Sequence, residues 1–172
     1  MKVAPPLQTI AVAVVVERRK GVTQWSDFSW RPVGVLVGEP AAAPWSKLSE
    51  DEERATFYAG VAEIEFHRTA TDNYRSNLAT GNPSLWIALQ PTGAEPPYEL
   101  LTVTADPAEG EALTETGSDL VEAVPMPATI QDAVAAFVAE HHVDHAFVKR
   151  KRDRANPEAM GRRAPLGSEK HR

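Results

Sequence analysis

Residues 10–16 read Ile-Ala-Val-Ala-Val-Val-Val, and they are followed by the charged run Glu17-Arg18-Arg19-Lys20 and by Gly21. Seven consecutive apolar residues, most of them β-branched, favour a strand that is buried on both faces. The charged run and the glycine mark where that strand ends. A membrane-spanning helix needs about 20 apolar residues, and no apolar run of the chain is longer than this one, so the stretch predicts a core strand instead.

Five further strands are predicted from the sequence. Apolar and polar residues alternate over 62–66, which is typical of a strand with one face in the core. Leu85, Ile87 and Leu89 recur at every second position, with Trp86 and Ala88 on the other face, and residues 98–104 predict a third strand. The prolines and glycine of residues 91–97 predict that the last two of these strands form a long-looped hairpin. Residues 32–37 and 120–124 add two more predicted strands, the first with glycines that suggest a bulge or a close backbone approach.

Three segments predict helices. The strongest is Ala128–His142, where apolar residues recur every three or four positions. In Asp106-Pro107-Ala108-Glu109, an N-cap acid, a proline in the first turn and a glutamate at the capping-box position indicate the start of a short helix. Ser49-Glu50-Asp51-Glu52-Glu53-Arg54 predicts a third, because Ser49 can cap it and the acids suit its positive end.

Strands followed by a packing helix predict an α+β fold that is mainly antiparallel β. We expect a curled or half-open barrel-like sheet of about five to seven strands, closed by the C-terminal helix. The alternatives are an open sandwich with the helix on one face and a two-layer fold with a second helix at Ser49–Ala59. Residues 1–148 are predicted to form a single globular domain, and residues 149–172, which are sparse in apolar side chains, a flexible tail.

The two predicted parts of the chain differ in charge. Residues 149–172 carry nine Lys or Arg and three acidic residues, a net charge of +6, whereas residues 1–148 carry nine basic and 21 acidic residues, a net charge of −12. A basic segment attracts acidic partners. No nucleic-acid-binding motif accompanies Lys149-Arg150-Lys151-Arg152 and an acidic body repels phosphates, so nucleic acid is not the expected partner. The N-terminus lacks the pattern of a signal peptide, and we expect a cytoplasmic protein.

Several classes of chemistry are excluded by the sequence. The chain has no cysteine, which rules out disulfides, thiolate zinc sites, ligation of an iron–sulfur cluster and cysteine nucleophiles. The glycine loops that bind nucleotide phosphates, the G-x-S-x-G elbow and the H-E-x-x-H pair are also missing. His141 and His145 are four residues apart, but two imidazoles do not make a metal site, and histidines at a helix C-terminus are explained by its negative end. No metal, cofactor or catalytic residue is assigned.

A cluster of aromatic residues before the second predicted strand is a candidate surface for binding a partner. Trp25, Phe28, Trp30 and Arg31 combine rigid rings with a guanidinium, the composition of a binding hot spot. In the alternative interpretation, Trp25 and Trp30 simply cover the end of the core. A separate candidate ligand site consists of His67, Arg68, Tyr74 and Asn77, which share one end of the sheet if the chain after the strand folds back.

Six segments, in this order, carry a resemblance to a known family. They are Val14-Val15-Val16-Glu17-Arg18-Arg19; Trp25 with Trp30-Arg31-Pro32-Val33-Gly34-Val35-Leu36; Phe66-His67-Arg68 with Tyr74 and Asn77-Leu78; Val103-Thr104-Ala105-Asp106-Pro107 with Glu109; Val124-Pro125-Met126-Pro127; and His145 with Phe147-Val148-Lys149-Arg150-Lys151-Arg152. Over residues 8–154 the chain resembles an uncharacterised bacterial family, a domain of unknown function whose genes tend to lie beside those of molybdenum-dependent formate dehydrogenases. The resemblance implies an association with formate oxidation or with the making of that enzyme, and it carries no catalytic residues.

The leading hypothesis is a non-catalytic accessory or assembly protein that binds a formate dehydrogenase subunit or a maturation factor. Its partner-binding residues would be Trp25, Trp30 and Arg31 together with the segment Lys149–Arg152, which in one variant grips the phosphates of a molybdopterin cofactor. One alternative is an enzyme or a binder of small ligands that uses His67 and Arg68. A second alternative is a small structural subunit of the dehydrogenase complex.

Overall fold

The computed structural model describes residues 4–21 and 28–143. Within these residues, seven strands and three helices follow one another. They are β1 (Gln8–Arg19), β2 (Ser29–Val37), β3 (Ser46–Glu50), β4 (Arg54–Phe66), α1 (Thr71–Ala79), β5 (Ser84–Pro91), β6 (Tyr98–Thr104), α2 (Pro107–Glu115), β7 (Leu120–Pro125) and α3 (Ala128–His141). All of them belong to the first of two units of the chain, Met1–His142, and the second begins at Val143. None of the helices in the described part is long and apolar enough to cross a membrane.

The described strands form two antiparallel sheets. The first has the order β2-β1-β4-β3 and the second the order β6-β5-β7. The fold is therefore α+β and mainly antiparallel β, as predicted. The prediction of one curled, barrel-like sheet is corrected, because the strands divide between two sheets and do not close into a barrel. Strand β4 lies beside β6, and β2 beside β7, across the two places where the sheets meet.

Strand β1 occupies the middle of the first sheet, as its composition predicts. Val12, Ala13 and Val14 are all buried, and every second residue from Val12 to Val16 faces the core with no exposed surface. Opposite β1, one extra residue in β4 makes a bulge, since Val14 pairs with Gly60 whereas Val15 pairs with Tyr58. Gly60 has a φ of 138°, a conformation that side chains disfavour.

The second sheet and helix α3 complete the core as the periodicity predicts. Leu85, Ile87 and Leu89 of β5 are fully buried, and β5 and β6 form the predicted hairpin. Along α3 the residues Ile130, Val134 and Phe137, at spacings of four and three, point into the same core.

Helix α2 begins with the predicted N-cap, since the Asp106 carboxylate accepts a hydrogen bond from the Ala108 N–H at 2.9 Å. The capping-box partner behaves differently. The Glu109 carboxylate accepts from the Thr104 hydroxyl at 3.0 Å, and it is that hydroxyl which accepts from the Asp106 N–H at 3.1 Å. The threonine thus takes the place that the glutamate holds in a capping box.

The predicted helix opening at Ser49 is wrong, as is the alternative over Ser49–Ala59. The acidic residues form the tight turn between β3 and β4 instead. The Asp51 carboxylate accepts hydrogen bonds from the N–H groups of Glu53 and Arg54, each at 2.8 Å, so it closes a turn rather than capping a helix. These two backbone donors lower the pKa of Asp51.

Candidate functional site

An aromatic cluster lies where the core reaches the surface at one end of the first sheet. The Trp30 ring of β2 is 5.6 Å from Phe57, 6.1 Å from Trp45 and 6.4 Å from Tyr98, measured between ring centroids. All four rings are half-buried, and those of Trp30, Trp45 and Tyr98 pack against the core. We call these four residues the outer aromatic cluster. The interpretation that Trp30 covers the end of the core fits this position.

Trp45 joins the outer aromatic cluster through an unusual backbone conformation. Its φ is 68°, in the left-handed region, where a bulky residue is disfavoured. The residue is held there because its N–H donates to the carbonyl of Tyr58 and its ring packs against Trp30 and Phe57. The fold therefore accepts local strain, on the order of 1–3 kcal/mol, to bring this ring to the end of the sheet.

A cation lies against the same cluster. The Arg18 guanidinium is 4.3 Å from the ring centroid of Phe28, 5.3 Å from that of Phe57 and 5.8 Å from that of Trp30. These distances are within the range of cation–π contacts. Phe28 remains 46% exposed, and the Arg18 side chain also lies 3.7 Å from the Glu50 carboxylate. The end of the sheet thus presents partly exposed rings together with a positive charge.

Arg31 lies on the other face of the sheet from Trp30, because neighbouring residues of a strand point in opposite directions. Its guanidinium is 3.7 Å from the carboxylate of Glu17, which is also 3.6 Å from the Arg19 guanidinium. Glu17 is nearly buried, whereas the Arg31 side chain is 58% exposed. Trp30 and Arg31 therefore share the start of β2 without forming one continuous patch.

The remaining predicted partner-binding residues lie outside the described part of the chain. They are Trp25 and the segment Lys149, Arg150, Lys151 and Arg152. His145, the second histidine of the predicted pair, also lies outside it.

Two of the four residues proposed as a ligand site hold the fold together. The Tyr74 hydroxyl accepts from the His67 N–H at 3.0 Å and donates to the Glu65 carbonyl at 3.4 Å, and burial raises the pKa of Tyr74. Asn77, which is 2% exposed, donates to the carbonyls of Ser84 and Ala105 at 2.8 and 2.9 Å and accepts from the Ser84 N–H at 3.0 Å. Both side chains are thus engaged with the main chain.

The other two residues are closer to solvent. The His67 ring lies 3.2 Å from the Glu65 carboxylate, and Arg68 is exposed at the start of a short 3-10 turn before α1. The structure brings His67 and Tyr74 together through the His67 main chain, while the Asn77 side chain bonds to the segments around Ser84 and Ala105. The contacts of His67, Tyr74 and Asn77 are therefore separate, and they do not define one shared ligand site.

The histidines at the end of α3 have local partners. The His141 ring packs against Phe137, with 4.5 Å between ring centroids and a tilt of 46°, and it lies 3.6 Å from the Glu140 carboxylate. The His142 ring contacts the Thr71 hydroxyl at 3.2 Å and Arg75 at 3.2 Å, which ties α3 to α1. Within residues 4–21 and 28–143, no three His, Asp or Glu side chains are grouped so that they could hold a metal ion.

The sequence was compared with protein families, with curated proteins and with solved structures. The sequence model of a family described as "Protein of unknown function (DUF3305)" matches residues 11–151. The chain belongs to the DUF3305 family. The match begins in β1, includes α3 and extends to Lys151, so the predicted membership of a domain family of unknown function is confirmed. No curated protein and no solved structure matches the DUF3305 chain.

The sequence reasoning missed several residues of the outer aromatic cluster in this DUF3305 chain. Trp45, Phe57 and Tyr98 come from three different segments. They reach Trp30 only because β1 pairs with both β2 and β4, β3 pairs with β4, and β4 meets β6. The one local signal is the Pro-Trp pair at residues 44–45, a large aromatic residue in an otherwise small and polar connection.

Proposed function

We propose that the DUF3305 chain is a non-catalytic accessory or assembly protein that binds a subunit or a maturation factor of a molybdenum-dependent formate dehydrogenase. Formate dehydrogenase is named because of the family resemblance, which implies a bacterial gene whose neighbours encode such an enzyme. The absence of cysteine supports a role other than cluster ligation or sulfur transfer. A cytoplasmic location is part of the same proposal, since the maturation of such enzymes needs access to newly made subunits.

The observation that carries the proposal is the strained backbone of Trp45 within the outer aromatic cluster. Strain of this kind persists only where the surrounding structure enforces it, and it is concentrated at functional positions. Here it holds a half-buried tryptophan beside Trp30 and the Arg18 guanidinium. Tryptophan, tyrosine and arginine are the residues that contribute most of the energy at protein interfaces.

Charge gives the proposed interface a second component. The exposed Arg31 on the opposite face of β2 and the basic segment Lys149–Arg152 would both attract an acidic partner surface. Electrostatic attraction of this type mainly increases the rate of association and is reduced by salt. In this proposal the rings anchor the partner and the cations steer it.

The first experiment is affinity purification of the tagged full-length chain from its own host, grown under conditions that express formate dehydrogenase, followed by mass spectrometry. We expect a dehydrogenase subunit or a maturation factor to be recovered. The Arg31→Gln variant should recover about fivefold less, because it removes an exposed positive charge from the proposed interface without placing a second carboxylate beside Glu17. Arg68→Gln is the control, since it removes an exposed charge from the other candidate site, and it should recover as much as the wild type.

The same purification separates the alternatives. If Arg68→Gln loses the partner and Arg31→Gln retains it, Arg31 is not part of the interface and the region around His67 is the binding site. If the chain is recovered in a fixed stoichiometric ratio with the mature, active dehydrogenase, it is a structural subunit rather than an assembly protein. If the chain is recovered alone, the accessory proposal fails.

A further inference from the structure

A second surface, separate from the outer aromatic cluster, lies on the other face of the first sheet, at the end of β1 and the start of β2. There Glu17 pairs with Arg31, and Arg19 pairs with Ser29. Opposed residues of paired strands share a face, and neighbouring residues of one strand alternate, so these four side chains point away from the core that Val16 faces. They line a cavity of about 190 Å³, which we call the arginine pocket.

The sheet, rather than a loop, sets the positions of the two arginines of this pocket. In an antiparallel pair, directly opposed residues have Cβ atoms about 4.5–5.5 Å apart, and diagonal neighbours lie about 7–8 Å apart. Arg19 and Arg31 are diagonal neighbours, since Arg31 opposes Glu17 and Arg19 follows Glu17 by two positions. Their guanidiniums can therefore approach one small ligand from two sides without a movement of the main chain.

The Glu17 carboxylate orients both guanidiniums. Its side chain is 11% exposed, and its Oε1 atom lies 3.6 Å from Nε of Arg19 and 3.7 Å from Nε of Arg31. A carboxylate this deeply buried needs cationic neighbours, and each arginine turns its Nε towards it. Among the residues that the structure describes, the Nη groups of the two arginines have no hydrogen-bond acceptor. These NH₂ groups are therefore the donors that a ligand would meet.

The charge of the arginine pocket favours an anion. Two guanidiniums and one carboxylate line it, which leaves one positive charge in excess. Arg54, which pairs with Arg19 from β4, brings a third guanidinium to the same face of the sheet. Residues 1–148 as a whole carry a net charge of −12, so the field of the protein repels anions from most of its surface. An anion that binds here is therefore held by the pocket and not by the overall charge.

The size and the donors of the pocket select a small tetrahedral oxyanion. Sites that enclose larger ligands have volumes of about 300–1,000 Å³, so this smaller cavity suits an ion or one terminal group of a larger molecule. A planar carboxylate presents two oxygens, which a single guanidinium can satisfy. A phosphoryl group presents at least three oxygens in different directions, and it can accept from both guanidiniums and from the Ser29 hydroxyl at once. The pocket therefore fits a phosphoryl group better than a carboxylate.

We propose that the arginine pocket binds a phosphoryl group, either as free phosphate or as the terminal phosphate of a small ester. Arg19 and Arg31 donate to its oxygens, Ser29 adds a hydroxyl donor, and Glu17 holds the two guanidiniums in place. The pocket shares Arg31 with the proposed partner interface but needs no partner in order to bind its ligand. It therefore holds or fails independently of the formate dehydrogenase proposal.

The test is a titration of the ¹⁵N-labelled full-length chain with sodium phosphate, followed by the NMR signals of the arginine Nε–H groups. It is done at about pH 7.5, where phosphate is mainly a dianion, and sodium chloride keeps the ionic strength constant. We expect saturable shifts of the Arg19 and Arg31 signals, and no such shift of the exposed Arg68. Acetate should bind at least about tenfold more weakly, because it has one charge and two oxygens.

Substitutions locate the site on the chain. Arg31→Gln should weaken phosphate binding about tenfold, and Arg19→Gln combined with Arg31→Gln should abolish it. Arg68→Gln is the matched control, because it removes the same charge from an exposed position outside the pocket, and it should bind as the wild type does. Trp45→Ala should also bind phosphate normally, which separates this proposal from the partner interface. The main-chain signals of β5 in the same spectra show whether each variant is folded.

Phenyl phosphate, titrated in the same way, separates the two sources of the phosphoryl group. Binding as tight as that of inorganic phosphate supports an ester as the ligand, and weaker binding supports the free ion. Three outcomes would overturn the proposal. Neither arginine signal shifts saturably; Arg31→Gln and Arg68→Gln weaken binding equally, which would indicate a general attraction of anions to arginine; or acetate binds as tightly as phosphate, which would make the pocket a site for a carboxylate.

Discussion

Two aromatic clusters at different places in the fold have opposite relations to solvent. Phe66, Tyr74 and Phe137, which we call the inner aromatic cluster, lie 5.5–6.0 Å apart between ring centroids and are each at most 2% exposed. The outer aromatic cluster has similar ring distances but is half-buried, and the Arg18 guanidinium lies against it. Similar side chains thus hold two layers of the fold together in one place and, under the proposed function, would anchor a partner in the other.

The difference shows that the type of an aromatic residue does not by itself tell whether the residue supports the fold or is available for binding. Tyr74 and Trp30 were both candidates for binding, yet the tyrosine is fixed by His67 and Glu65 while the tryptophan reaches the surface. Exposure and hydrogen bonding, which depend on the tertiary fold, separate the two cases. Substitutions in the two clusters should therefore have different effects on stability and on binding.

The largest difference is expected between Phe137→Ala and Trp45→Ala. Removing a fully buried phenylalanine should cost about 3–5 kcal/mol, because it leaves a cavity between α3, α1 and β4. Removing the half-buried Trp45 ring should cost only about 1–2 kcal/mol, since much of its surface is already hydrated. Urea unfolding followed by circular dichroism measures both, and equal losses would mean that the two clusters do not differ in this way.

Asn77→Ala tests the polar support of the inner aromatic cluster. The substitution leaves the N–H and carbonyl of Ser84 and the carbonyl of Ala105 without their side-chain partner, at a cost of about 3 kcal/mol. Asn82→Ala, at an exposed position just before β5, is the control and should change stability by less than about 0.5 kcal/mol. If both variants unfold at the same urea concentration, the hydrogen bonds of Asn77 do not support the fold.

A smaller effect should separate Trp45→Gly from Trp45→Ala. Glycine is normally less stable than alanine, but at a φ of 68° it avoids the steric penalty of a Cβ. We expect the glycine variant to be more stable than the alanine variant by about 1 kcal/mol. Ala62 inside β4 is the control position, where Ala62→Gly should be less stable than the wild-type alanine, as is usual. A less stable glycine variant at position 45 would show that its backbone is not strained.

The smallest expected effect is on the pH dependence of the free energy of unfolding, and it comes from Tyr74. Its pKa in the folded chain is raised above the ordinary value of 10.0, chiefly by burial. Above that ordinary value the unfolded chain loses the phenolic proton while the folded chain keeps it, so the free energy of unfolding falls as pH rises through this window. Urea unfolding between pH 9 and pH 11 should show this decrease in the wild type and a weaker one in Tyr74→Phe. Identical slopes would contradict a shifted Tyr74.

Periodicity predicted much of the fold. The apolar spacing of α3, the alternation in β4 and β5, and the N-cap at Asp106 are all found in the structure. Helix α1 was missed because its buried face contains Thr71 and Asn77 beside Tyr74, and polar residues give no apolar period. The division into two sheets was also missed, since strand pairing between distant segments leaves no local pattern.

The candidate site was less predictable than the fold. Trp30 was singled out from its neighbours in sequence, and the structure adds Trp45, Phe57 and Tyr98 from segments up to 68 residues away. Arg31 was grouped with Trp30, but strand alternation sends it to the other face. A surface of this kind depends on which strands are neighbours, and the order of strands in the sheets could not be predicted from the sequence.

The central claim is that the outer aromatic cluster binds a formate dehydrogenase partner while the inner one only supports the fold. The most direct test compares three tagged full-length forms in the native host: the wild type, Trp45→Ala and Tyr74→Phe. Partner recovered per folded chain is quantified by mass spectrometry. We predict that the wild type and Tyr74→Phe recover a dehydrogenase subunit or maturation factor equally, and that Trp45→Ala recovers about tenfold less. Equal recovery by the two variants, or no such partner with the wild type, would contradict the account.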